Sequence, residues 1–122
     1  MKKIEAYIRH EVLEPIRAGL YEIGLPSLTV SDVMGSGRQP GLVEHYRGAS
    51  EILYLRPKLR LDTVVADEDL ERALALIAEH ARTGELGDGK IFVYDVIDAV
   101  RIRTGERGED VVAAHVEAEV SG

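Results

Sequence analysis

The order in which two hydrophobic periods alternate along the chain constrains its fold more than any other feature. Residues 2–9, KKIEAYIR, place Ile4, Ala6 and Ile8 on one side and Lys3, Glu5, Tyr7 and Arg9 on the other, the two-residue period of a half-buried strand. Val12, Leu13, Ile16, Leu20 and Ile23 then recur at helical spacing, with Gly24 as a C-terminal stop. Pro15 fits the first turn of such a helix, where an N–H has no partner to lose. Strand-like patterning returns at 27–35 (SLTVSDVMG) and again at 58–66 (KLRLDTVVA). The clearest helix follows, DEDLERALALIAEHARTG, with Leu70, Ala73, Leu74, Ile77 and Ala81 on one face. Asp67 is its expected N-cap and Gly84 its expected close. GKIFVYDV (89–96) is rich in strand formers, and a brief last strand is expected at Val100–Arg103. Two successive βαβ units of this kind predict an α+β, ferredoxin-like split βαβ domain (βαββαβ) with a short C-terminal strand and both helices on one sheet face. No helix remains for the other face, so self-association is the economical way to cover it.

At 122 residues the chain has room for one core, expected over 1–112, with 113–122 as a flexible tail. Apolar residues make up 45% and charged residues 30%, the balance of a soluble globular domain. Without cysteine there is neither a disulfide framework nor a thiolate metal site. No apolar run has the length of a membrane span or the core of a signal peptide, so a cytoplasmic protein with no membrane insertion is expected. A net charge of −7 argues against a broad nucleic-acid surface, although Arg101, Arg103 and Arg107 form a local basic spot. Histidines recur every 35 residues, at 10, 45, 80 and 115, but their flanks do not match and no repeat follows.

Two glycine-rich stretches carry the chemistry. TGELGDGKIFV (83–93) sets Gly84, Gly87 and Gly89 between a helix and a strand, with Lys90 at the strand's start. Glycines let backbone amides approach an anion and lysine adds countercharge, but the order is not that of a P-loop. Lys90, Arg101 and Arg103 are expected on adjacent parts of the sheet. Charge-assisted bonds of about 1.5–3 kcal/mol each would together approach the roughly 8 kcal/mol of micromolar binding to a polyphosphate. GSGRQPGLVEHYRGASE (35–51) packs four glycines and Pro40 around Arg38, Gln39, His45, Tyr46 and Arg47. No nucleophile–base set or metal-ligand spacing is present; His45 with Glu44 could bind a metal but is expected to be a solvated loop pair, so no enzyme is expected.

Together TGELGDGKIFV, VRIRTGERGED, GSGRQPG…YRGAS and the opening MKKIEA resemble the P-II signal transduction proteins from Met1 to about Val112. The resemblance implies a homotrimer binding ATP or ADP in clefts between subunits. The matching positions are Thr29, Gly35, Gly37, Arg38, Gly87, Asp88, Gly89, Lys90, Arg101 and Arg103, with Val64 against the base. It further implies joint binding of Mg-ATP and 2-oxoglutarate, Gln39 helping to hold the metal and Lys58, Gly87 and backbone near Gly37 and Gly41 holding the dicarboxylate. Residues 36–55 match the family's T-loop, which docks on ammonium transporters and regulated enzymes, with Tyr46, Arg47 and Glu51 as partner contacts. Departures from the pattern are specific. Glu51 stands where relatives carry a tyrosine that is uridylylated, so that modification is excluded there. Ser36 replaces a usual Phe, Pro40 a usual Lys, and Arg9–Glu11 the usual KPF. A structural or metal-tolerance-type trimer without nucleotide, and a slow ATP hydrolase using Gln39, are the alternative readings.

Overall fold

A computed structural model of the chain describes residues 1–36 and 55–114. In chain order it forms β1 (Lys2–Ile8), α1 (Leu13–Glu22), β2 (Thr29–Gly35), β3 (Arg56–Val65), α2 (Leu70–Ala81) and β4 (Lys90–Asp95). Single 3-10 turns precede both helices, and a third covers Gly108–Val111. The strands lie in the order β2-β3-β1-β4 with every neighbouring pair antiparallel, the ferredoxin-like arrangement expected from the sequence.

The register explains the core. Ile4, Ala6 and Ile8 of β1 pair with Thr63, Leu61 and Leu59 of β3, so their side chains share one face. All six are buried, as are Ile16 and Leu20 of α1 and Ala73, Ile77 and Ala81 of α2. Thr63 is polar in this layer, and its hydroxyl donates to the Ser27 carbonyl at 2.7 Å, so burial leaves it satisfied. Helices α1 and α2 approach closely at Gly19, where a Cβ would lie 3.0 Å from the Leu76 side chain.

The helix ends follow local chemistry, with two corrections. Gly24 takes a left-handed conformation (φ +84°). Its N–H donates to the Tyr21 carbonyl, and that of Leu25 to the Leu20 carbonyl, a Schellman close to α1. Asp67, however, caps nothing with its side chain; it opens a 3-10 turn, and α2 begins after Asp69. Gly84 does not close α2 either. The helix ends at Ala81 with Arg82 extended, and Gly84 (φ +91°) belongs to the turn beyond.

The expected strand at Val100–Arg103 is also corrected, since the sheet has four strands among the described residues. Val100 makes one isolated antiparallel bridge to Arg107. Arg101 N–H donates to the Glu106 carbonyl at 2.9 Å, and Gly105 N–H to the Arg101 carbonyl at 2.7 Å. Positive φ at Gly105 and Gly108 lets the segment fold back on itself, and an Arg107–Asp98 ion pair fastens the hairpin.

The second sheet face carries Glu5, Tyr7, Arg60, Asp62, Phe92 and Tyr94, which the pairing places side by side. Tyr7 and Phe92 meet edge to face, centroids 6.2 Å apart. Glu5 is only 7% exposed although both helices pack on the opposite face. It accepts from the Tyr7 hydroxyl at 2.6 Å and pairs with Arg60 and Lys3, each at 3.4 Å. The Tyr7 hydrogen bond, with help from Lys3 and Arg60, holds the Glu5 carboxyl below the usual range against the effect of burial.

Candidate anion-binding site

The turn between α2 and β4 is built around Asp88. Its carboxylate accepts from the Thr83 hydroxyl at 2.5 Å and from the amides of Thr83 and Gly84 at 2.7 and 2.9 Å. These bonds, the Thr83 hydroxyl foremost, hold the carboxyl far below the ordinary carboxylate range. Asp88 is therefore occupied in shaping the turn, and its charge is spent inside the chain. Gly87 and Gly89 both need positive φ, +98° and +112°. At Gly89 the close approach is absolute: a Cβ would stand 1.7 Å from the Tyr7 carbonyl oxygen.

Three cations gather here from distant parts of the sequence. Lys58 Nζ donates to the Gly87 carbonyl at 2.7 Å. Arg9 donates through Nη2 to the Leu86 carbonyl at 2.8 Å and reaches Asp88 through Nε at 3.4 Å. Lys90, first residue of β4, is exposed beside them and forms no ion pair among the described residues. Val33 pairs with Lys58, and Gly35 with Arg56, so Gly35 also stands at this end of the sheet.

Because the Asp88 carboxylate is stabilised in the fold, its contribution to stability is present above the unfolded carboxylate range, about pH 4, and is lost as pH falls through and below it. Thermal melts of the full chain should therefore fall in midpoint between about pH 5 and pH 3. Asp88→Asn should melt lower at neutral pH and lose part of that acid dependence, because an amide cannot accept from all these donors. Equal melting midpoints for both proteins at pH 7 would remove Asp88 from this structural role.

A second feature is a recess of about 520 Å³ lined by Gly24–Thr29, Asp62–Val64, Arg101 and Val111–Ala113. Thr29, Val64 and Arg101, separate in sequence, thus meet on one concavity. Arg101 is held by Glu106, Nε to Oε1 at 2.7 Å, and its Nη2 reaches the Val111 carbonyl at 3.4 Å. Arg103 lies exposed on the hairpin.

These two features do not converge within one chain, which corrects the expectation that Lys90, Arg101 and Arg103 occupy adjacent parts of the sheet. Lys90 pairs with Tyr7, and Tyr7 with Arg60, whereas Val64 pairs with Lys3. The turn and the recess are thus four residues apart along the strands and two strands apart across them, roughly 13 Å by 10 Å. The expected site residues Gly37, Arg38, Gln39, Gly41, Tyr46, Arg47 and Glu51 lie outside the described residues. Sequence reasoning noted Arg9 as part of a departure from the usual KPF but not as a donor to this turn. Arg9 reads as an ordinary outward strand residue, and only its basic character hinted at a role. Among the described residues no group of three or more His, Cys, Asp or Glu is placed to hold a metal ion, and no helix is long and apolar enough to cross a membrane.

The turn, the recess and the four-stranded sheet fall within residues 1–113. The family model for nitrogen regulatory protein P-II matches residues 1–106 of the chain. The chain belongs to the P-II family. It is 54% identical over 112 residues to nitrogen regulatory protein P-II 1 of Methanothermobacter thermautotrophicus, covering 92% of this chain and 97% of that protein. It is 48% identical over 112 residues to nitrogen regulatory protein P-II of Rhodospirillum rubrum and 47% to that of Pasteurella multocida, covering 92% of this chain and all of each relative. P-II proteins are signalling proteins, and these relatives are named for regulation rather than for a catalysed reaction.

Proposed function

We propose that this P-II chain is a non-enzymatic, cytoplasmic sensor that binds ATP or ADP between copies of itself and regulates a transporter or enzyme through residues 36–55. The observation that carries the reading is the separation of two half-sites. The recess with Thr29, Val64 and Arg101 offers an apolar and amide-lined slot for a base. The Gly87–Lys90 turn offers positive charge for phosphates. A nucleoside di- or triphosphate needs both, and within one chain they stand apart across two strands. A second copy brought against the sheet supplies the missing half to each.

The sheet's second face supports the homotrimer this requires. Phe92 and Tyr94 on it are about half exposed, and off the sheet Ile97, after β4, and Ile102, on the hairpin, are 95% and 97% exposed. Glu5, nearly buried and paired at the centre of that face, is neutralised before any partner arrives. Apolar surface at this density with satisfied charges suits repeated copies of one chain.

Lys58 and Arg9 suit the 2-oxoglutarate reading. Both are donors directed at the Leu86–Asp88 turn, and a dicarboxylate would take over bonds they now give to carbonyls. Bound Mg-ATP would supply a cation for the dicarboxylate to meet, with Gln39 as the proposed metal contact. Regulation then requires that ligand states favour different arrangements of 36–55, because a ligand shifts an equilibrium only by its differential affinity.

Calorimetry on the full chain, after its mass is fixed by light scattering, tests this. A mass of three chains is expected, with ATP binding alone and 2-oxoglutarate binding only after Mg-ATP. Independent 2-oxoglutarate binding would contradict the joint site. A trimer indifferent to ATP and ADP would instead favour a structural or metal-tolerance role on the same fold, and steady phosphate release would favour a hydrolase.

A further inference from the structure

We propose that residues 115–122 form an intramolecular arm that docks in the recess and competes with nucleotide for it. The docking rests on the recess itself, and what the arm excludes rests on the nucleotide reading above. The arm starts at the recess wall. Val111, Val112 and Ala113 line the cavity, and Ala114 packs against the hydrophobic core. That starting point is held in place. Val112 N–H donates to the Glu109 carbonyl at 3.0 Å, and the Met1 ammonium pairs with the Glu109 carboxylate at 3.8 Å and with Asp67 at 2.9 Å. Eight residues follow Ala114. Extended, they reach roughly 25 Å, well across a cavity of about 520 Å³.

The sequence of the arm suits the cavity. In AHVEAEVSG (114–122), Val116, Ala118 and Val120 alternate with His115, Glu117, Glu119 and Ser121, the two-residue period of a segment with one face to bury. Leu25, Pro26, Leu28, Val64 and Val112 give the recess an apolar wall for that face. The other face carries two carboxylates. The hairpin that brings Arg101 to the recess also carries Arg103, which forms no ion pair among the described residues. Asp62, the acid in the lining, is already paired with Arg60 at 3.0 Å and does little to repel the arm. A tethered segment needs little affinity of its own, because a short linker gives it an effective concentration in the millimolar range. Nucleotide then binds only the chains whose recess is open, and its apparent affinity falls by that fraction.

Two measurements on the full chain test the arm. Calorimetry compares ATP binding by wild type and by the double variant Val116→Asp, Val120→Asp, with melting curves to confirm folding. If the arm fills the recess three-quarters to nine-tenths of the time, the double variant should bind ATP about fourfold to tenfold more tightly. The second measurement uses the absence of native cysteine. Ser27→Cys at the recess and Ala118→Cys in the arm should form an intrachain disulfide in a glutathione redox buffer, and should do so several-fold more slowly in the double-variant background. If wild type binds ATP, an affinity unaltered by the double variant overturns the competition and leaves the nucleotide site standing. A disulfide rate indifferent to the double variant, or a disulfide that joins two chains, overturns the docking itself. An intrachain disulfide that responds to the double variant, in a chain that binds no ATP, keeps the docking and overturns the nucleotide reading.

Discussion

Gly89→Ala should lower the melting temperature of the full chain by roughly 10–20 °C, the largest loss expected from any single methyl group in this structure. The added Cβ would stand 1.7 Å from the Tyr7 carbonyl oxygen, and 2.9 Å from the carbonyl carbon behind it. That carbonyl belongs to β1, a central strand paired on both sides, so it cannot retreat without opening the β1–β4 ladder. The backbone at Gly89 (φ +112°) is also one that a side chain resists. Overpacking and backbone strain together imply a cost of at least about 3 kcal/mol. Gly84→Ala provides the comparison. Its φ is +91°, yet nothing lies within 4 Å of the added atom, so the backbone penalty alone remains, about 1–2 kcal/mol. Equal melting temperatures for the two variants would show that the contact with β1 is not what requires glycine.

Lys90→Ala should weaken ATP binding roughly ten- to a hundredfold, the loss of one charge-assisted hydrogen bond to a phosphate. Stability should hardly change, because Lys90 is an exposed first strand residue with no ion pair among the described residues. Titration calorimetry at fixed ionic strength measures the first quantity and a thermal melt the second. ATP binding unchanged by the substitution would remove Lys90 from the site, whereas parallel loss of binding and stability would make its role structural. The opposite pattern is expected for Gly89→Ala, where binding fails because the turn itself is lost.

The fold was legible wherever hydrophobic period and burial coincide. Ile4, Ala6 and Ile8 alternate in sequence and are buried in fact, and α2 buries Ala73, Ile77 and Ala81 as its spacing requires. The short strand at 100–103 was misread for a physical reason. Val100, Arg101, Ile102 and Arg103 alternate as a half-buried strand does, but alternation cannot reveal whether a partner strand exists. Ile102 is 97% exposed, and Gly105 with Gly108 turns the segment back before it can extend along the sheet.

The turn before β4 was visible as a cluster of glycines before a lysine, because its backbone demands are local. The cations that support it were not. Arg9 lies 79 residues from Asp88 and Lys58 lies 29 from Gly87, distances bridged only by strand pairing. Nor does spacing reveal strand order, which is what sets Lys90 apart from Arg101. The division of the candidate site into two halves thus became evident only once β1 was found between β3 and β4.

The β2–β3 pairing continues to Gly35 and Arg56, so residues 36–55 leave and re-enter the sheet side by side. Lys58 sits two positions from that doorway and already holds the 83–89 turn through the Gly87 carbonyl. Two residues of chain and one hydrogen bond thus join the doorway to the turn. If ligands at the turn alter the affinity of 36–55 for a target by some factor, the target must alter ligand affinity by the same factor. A bound target would then itself be an effector, and the chain's response to nucleotide would depend on how much target is present to read it.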